Sequence, residues 1–206
     1  MTGGICDLSG RPSILLGAGG HARVVLELAI ACGASVKGVC DPELSGRGVS
    51  LWHTVPVLGG DDYLNGVTPE DVWILNGIGM MPGSGVRHSI FQRLSQAGFE
   101  FPALTHPAAW VAGSATLEAG AQIMAGAIVQ AGVFVGLNTI INTRSSVDHD
   151  SLIGSHCHIA PGVTLCGDVQ VGDHTFIGAG ATVIQSVAVG ANAFVKAGQV
   201  VTGNVL

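Results

Sequence analysis

In the segment Ser146-Val147-Asp148-His149-Asp150-Ser151 an imidazole stands between two carboxylates, in a chain of which only 11% is charged. Neutral histidine accepts a proton near pH 7, and an adjoining carboxylate raises its basicity and fixes its tautomer, so His149 is a candidate general base. Asn142 lies just upstream, and SHCHIAPG brings His156 and His158 soon after. A second cluster, Gly17-Ala18-Gly19-Gly20-His21-Ala22, fits G-x-G-x-x-A, with Asp41 about 20 residues further on. That pattern serves phosphate at a helix N-terminus and sets an acid for a ribose. A glycine turn needed only for close strand–helix packing is the alternative.

The elements that must position these residues are of two kinds. From Val111 to Val201 every sixth residue is aliphatic. The residue two before it is mostly small (Ala115, Ala121, Ser145, Ser151, Cys157) and shares its face of a short strand. Gly, Asn, Asp and Pro gather at the second and third positions after it, where a chain turns. This describes a parallel β-helix of triangular section, with three hexads to a coil, so that residues 18 apart stack. Residues 111–206 supply five coils and a further hexad. On this prism Val147 points inward, Asp148 points outward, and His149-Asp150 occupy a corner. Gly167 falls beside His149 in the next coil, where an N–H unobstructed by a side chain can face a developing oxyanion. His158 is half a coil from His149, so one site uses both only if a neighbouring copy supplies the second.

The first part lacks this period. Ser13 to Leu16 reads as a strand, VVLELAIACG as a helix, Val36 to Cys40 as a second strand, and Val72 to Leu75 as a third after a turn-rich stretch. Residues 86–97 form an amphipathic helix that Gly98 stops. The βαβ order predicts a small Rossmann-like α/β domain over residues 1–105, then the β-helix over 106–206, with 100–110 as the link. Only one βαβαβ half fits, enough for a mononucleotide but not a dinucleotide.

The net charge of −6, with eight Lys plus Arg, argues against nucleic acid, and no cationic cluster serves an anionic membrane. No apolar run approaches the roughly 18 residues of a spanning helix, and MTGGICDLSGRPS does not read as a secretory signal. Five cysteines (Cys6, Cys32, Cys40, Cys157, Cys166) form no close metal-type pairing, which points to reduced thiols and a cytoplasmic protein. A mean hydropathy of +0.52 hints that other copies of the chain cover some of its surface.

The repeat, QIMAGAIVQAG, INTRSSVDHDSLIGSHCHIAPGV and the N-terminal GAGGHA resemble left-handed β-helix acyltransferases of the PglD/NeuD type. These are nucleotide-amino-sugar N-acetyltransferases of surface-glycan biosynthesis and relatives that O-acetylate sialic acid. The resemblance spans nearly the whole chain, with N-T-x-x-x-V-[DE]-H-[DE] followed by H-[IV] as its specific part. It implies a homotrimer with acetyl-CoA between adjacent β-helices, a nucleotide sugar on the N-terminal domain, and no metal. It also implies the left hand of the coil, against the general crossover preference. By the same resemblance His149 is the catalytic base, Asp150 the acid that strengthens it, and Asn142 an active-site asparagine. His158, Gly167 and Ala179 match acetyl-CoA contacts; Gly19, Gly20, His21, Asp41, Pro42 and Gly77 match the nucleotide pocket. Two stretches depart from the pattern. NGIGMMPGSG is longer than the usual loop, and VVTGNVL lacks the family's G-x-P-A-[KR] tail, leaving Lys196 as the one late cation for the CoA phosphates.

Three rivals share these residues. An acyl-cysteine route would use Cys166, which points outward beside Gly167, or less readily the inward Cys157. A metal hydrolyase would draw on His149, His156, His158 and His174, with His156 and His158 on one strand face, though carbonic-anhydrase-like spacing is absent. A sugar-nucleotide-binding scaffold would need no catalysis at all.

Overall fold

A computed structural model describes Leu8 and residues 10–206, in two compact units that divide between Pro102 and Ala103. Cys6 lies outside the described residues; Cys32, Cys40, Cys157 and Cys166 are all free thiols.

The first unit is a five-stranded sheet carrying helices. Its elements are β1 (Ser13–Leu16), α1 (Gly20–Ala31), β2 (Val36–Cys40), α2 (Pro42–Gly46), β3 (Leu51–Trp52), β4 (Val55–Gly59), β5 (Trp73–Asn76) and α3 (Val86–Gln96). The order is β3-β4-β2-β1-β5, parallel except at the β3–β4 hairpin. Strand β1 is buried along its whole length and alternation is absent from it, as expected for a central parallel strand covered on both faces. The chain leaves β1 for β2 on one side and returns to β5 on the other. The strand order therefore reverses beside the C-terminal end of β1, where open α/β sheets receive ligands. Strands β3 and β4 lie in the stretch read as turns, because Pro56 and Gly59 punctuate the sequence there. Strand β4 tolerates Pro56 because its paired register with β2 begins only at the next residue, Val57.

The second unit is the β-helix. Its three parallel sheets hold six, six and five strands of two residues each. Stacking runs in steps of 18, as Ile140↔His158, Val147↔Leu165 and Val135↔Ile153. The coil begins a hexad before Val111, since Leu104–Thr105 already pairs with Gln122–Ile123. Thr105 occupies the aliphatic column there, which hides the hexad from a search for aliphatic residues. Inward Val, Leu and Ile form one continuous core, each contributing roughly 1.5–3 kcal/mol on full burial. The small inward column includes hydroxyls that knit coil to coil. Thr139 Oγ1 donates to Gly154 O at 2.8 Å, and Thr175 Oγ1 donates to Gly190 O at 2.7 Å.

Candidate functional site

His149 sits at the turn that ends the strand Ser146–Val147. Asp150, next in the turn, holds a left-handed backbone (φ 60°), and this aims its carboxylate back along the chain. Asp150 Oδ2 lies 2.9 Å from His149 Nδ1. That contact gives Nδ1 the proton and leaves Nε2 as the basic nitrogen. Asp148 Oδ1 accepts from the His149 N–H at 2.8 Å, which fixes the backbone from the other side. The bond to Asp150 raises the His149 pKa above its ordinary value; partial desolvation opposes it, and the charges of Asp148, Asp150 and Asp168 add to the rise.

Gly167 is where stacking places it. A Cβ built on Gly167 would lie 2.6 Å from His149 Nε2, so the imidazole rests on bare backbone. Ser151 secures that corner: its Oγ donates to Cys166 O at 3.2 Å and accepts from Val169 N at 3.1 Å. Among the described residues no protein acceptor takes the Gly167 N–H. A shallow groove of about 160 Å³ along the neighbouring face, lined in part by Ile128, Ser146 and Thr164, runs to Asp148 and Cys166.

The remaining expected residues gather on a different edge of the prism. Asn142 Nδ2 lies 2.9 Å from His158 Nε2, and Asn142 Oδ1 accepts from Thr143 N. His158 is buried on its strand, and Ala179 is exposed at the same corner one coil on from Pro161. One chain thus unites His149, Asp150 and Gly167, and separately Asn142, His158 and Ala179. His156 is not on a strand face with His158. It occupies a left-handed turn (φ 57°) and stacks on His174, ring centroids 5.1 Å apart at 13°. Their faces meet, which is not how imidazole nitrogens converge on an ion. Among the described residues no three His, Cys, Asp or Glu side chains gather to hold a metal. Cys157 is buried, its thiol pushed up to about 12, with Sγ 3.1 Å from Gly172 O, a packing role. Cys166 remains half-buried beside Gly167.

In the first unit the glycine turn separates into two kinds of position. A Cβ at Gly19 or Gly20 would meet nothing within 4 Å, so protein packing does not call for glycine there. Helix α1 begins at this point without a side-chain cap on Gly19, with the positive end of its dipole there. Gly77 is different, since a Cβ there would fall 2.5 Å from Leu16 O and 2.9 Å from Ala22 Cβ. Packing explains Gly77. Both oxygens of Asp41 have backbone work: Oδ2 accepts from Ala18 N and Oδ1 from Leu44 N, each at 2.9 Å. Asp41 is the N-cap of α2, with Pro42 at the first helical position, and it also pins the glycine turn. Asp41→Ala should therefore lower stability by about 0.5–2 kcal/mol through the lost cap, read as a fall in urea midpoint, and loosen the turn as well.

Sequence reasoning missed Arg87. Its buried guanidinium donates from Nη1 to Asn76 O at 2.9 Å and to Ile78 O at 2.7 Å, holding the start of the long loop after β5. Burial lowers the group to about 9, still charged at neutral pH. An arginine at the start of an amphipathic helix ordinarily reads as solvated, so no pattern marked it.

A hexapeptide β-helix with a His-Asp pair at a corner, preceded by a half-Rossmann sheet, defines an acyltransferase of sugar-nucleotide type. A family model described as the PglD N-terminal domain matches residues 14–94, and one described as the hexapeptide repeat of succinyl-transferase matches residues 168–203. The acetyltransferase domain of PglB from Neisseria gonorrhoeae FA1090 superposes with a TM-score of 0.89 at 34% identity, covering 96% of this chain and 94% of that one. PerB from Caulobacter crescentus, in complex with CoA and GDP-perosamine, gives a TM-score of 0.86 at 33% identity, covering 97% and 93%. WeeI from Acinetobacter baumannii AYE, at 22% identity, shares the fold, with a TM-score of 0.72 over 93% and 94%. The chain belongs to the PglD-type family of hexapeptide-repeat acetyltransferases, and its coils are those of the left-handed β-helix.

Proposed function

We propose that this chain transfers an acetyl group from acetyl-CoA to the amine of a nucleotide-linked amino sugar, with His149 as general base. The observation that carries the reading is the fixed ring, with Nδ1 on Asp150 and Nε2 over bare Gly167. His149 Nε2 takes the proton from the amine as its nitrogen attacks the acyl carbon, and the Gly167 N–H donates to the oxyanion that develops. Collapse of that oxyanion breaks the C–S bond, so that CoA leaves as the thiol, taking the proton held by the imidazole. Bound acetyl-CoA supplies the activated thioester. It is a relative, the PglB domain, whose complex contains acetyl coenzyme A, and PerB whose complex contains CoA and GDP-perosamine. Gly19, Gly20 and His21 at the start of α1 take the phosphates, with Asp41 and Pro42 beside them, and Gly77 serves this pocket by letting β5 pack closely on β1 and α1.

In one chain His149 and Asp150 are 61% and 71% exposed, too wet for strong electrostatics. Asn142 and His158 lie on another edge. A homotrimer would close one edge of each copy on the other edge of its neighbour and assemble the full set. Exposed Trp110, Ile128, Phe134 and Leu152 supply apolar surface for that contact.

An amine acceptor fits better than a hydroxyl. Asp148, Asp150 and Asp168 surround His149 with negative charge, which draws a sugar ammonium and then helps its proton depart through the imidazole. O-acetylation of sialic acid, an anion, would work against that field. Release of CoA across a panel of UDP-, GDP-, dTDP- and CMP-linked amino sugars, with free sialic acid alongside, decides between them. Turnover confined to sialic acid would overturn the amine reading, and ping-pong kinetics would move the nucleophile to Cys166.

The pH profile carries a sign. A base works only when neutral, and Asp150 raises the His149 pKa. Thus kcat/KM should climb with pH through a midpoint above the usual imidazole value of about 6.5. In Asp150→Asn that midpoint should move down while the plateau also falls. A profile flat across this range would remove the titrating base.

A further inference from the structure

We propose that Gly132, one coil below the site, is a positioning residue for the base: its missing side chain is the space into which the Asp150 carboxylate folds to hold His149. The inference rests on His149 acting as the base. A Cβ built on Gly132 would lie 2.6 Å from Asp150 Oδ1, the oxygen that does not bind the ring, while Oδ2 reaches His149 Nδ1 at 2.9 Å. One oxygen occupies the glycine's vacancy and the other orients the imidazole.

The backbone alone does not call for glycine at this corner. Gly132 has φ 73°, and the residues stacked above it in the same column, Asp150, Asp168 and Ser186, hold φ 60°, 58° and 57° with side chains attached. What sets Gly132 apart from them is the carboxylate resting on it. One further contact and one like charge bear on the arrangement. Ser114 Oγ accepts from the Gly132 N–H at 3.2 Å, anchoring the corner from below. Asp168, one coil up, bears the same charge as Asp150 and opposes any upward swing of its carboxylate. The charged groups that face the ring are Asp148, Asp150 and Asp168, and only Asp150 bonds its Nδ1.

Gly132→Ala in the full chain tests this by two readouts, the imidazole titration of His149 followed by NMR and the steady-state kinetics. The ring should titrate at lower pH than in the parent, as in Asp150→Asn. The kcat should fall as far as in Asp150→Asn, with the KM for acetyl-CoA unchanged, and the double variant should be no slower than either single one. Gly198→Ala, at a left-handed corner (φ 70°) where a Cβ meets nothing within 4 Å, gives the thermal cost of the backbone conformation alone. If Gly132→Ala does not fold, Asp150→Ala in the same chain should restore folding by clearing the clash, and failure to do so overturns the inference. An unmoved titration, or additive losses in the double variant, also overturns it. Full turnover in His149→Ala would instead remove the base reading and leave the titration result standing.

Discussion

Replacing His149 with alanine should lower kcat/KM for acetyl transfer by about 10²–10⁴-fold, with the melting temperature close to that of the parent. The rate falls because no other side chain at this corner can accept a proton near neutral pH. Carboxylates as a class are too weakly basic to deprotonate an ammonium, and His158 belongs to another edge of the coil, engaged with Asn142. Stability holds because the ring is 61% exposed and rests on Gly167 and Asp150 rather than in the core. Much of the remaining rate comes from holding amine and thioester together, an advantage worth effective molarities of roughly 10⁵–10⁸ M. The variant should therefore still exceed the uncatalysed reaction. CoA release under saturating acetyl-CoA measures the loss, and turnover within a few-fold of the parent would exclude His149 as the base. The same result would favour a scaffold that binds sugar nucleotides without acting on them.

Gly167→Ala should be nearly as damaging, although it adds a single methyl group. The new Cβ would stand 2.6 Å from His149 Nε2 and 2.7 Å from Cε1, inside contact distance, so the ring must leave its place. Swinging away breaks the alignment of Nε2 with the Gly167 N–H, and base and oxyanion donor stop acting on one substrate. Gly167 does not hold a left-handed backbone, so alanine is conformationally allowed and the fold should keep its melting temperature. We expect a loss of about 10²-fold or more in kcat. The double variant with His149→Ala should be no worse than His149→Ala, since the methyl group acts through a ring no longer present. Additive losses would show that Gly167 contributes by some other route.

These two residues mark how much the sequence reveals. A period of six fixes which side chains point inward and which residues stack 18 apart, so Gly167 could be set beside His149 by counting. The same counting sets Gly132 under Asp150, yet composition does not distinguish a glycine that leaves room for a carboxylate from one that merely turns the chain. Ser151 is similar: as a small inward residue it looks like filler, and only its two hydrogen bonds reveal that it braces the Gly167 corner. In the first unit the helix and central strands were legible from periodicity, whereas β4 was obscured by Pro56 and Gly59. Arg87 was illegible because its value lies in which carbonyls it reaches. At Asp41 the spacing that suggests an acid for a ribose leaves unseen that each carboxylate oxygen also accepts from a backbone amide.

Because each coil touches only those above and below it, the second unit has no common centre to lose all at once. Opening starts at its ends, where an outer coil has one neighbour, and works inward. His149 and Gly167 lie on adjacent coils near the middle of the stack, with two further strands on each side of theirs in the same sheet. Fraying at either end can therefore come and go while the chemistry continues undisturbed.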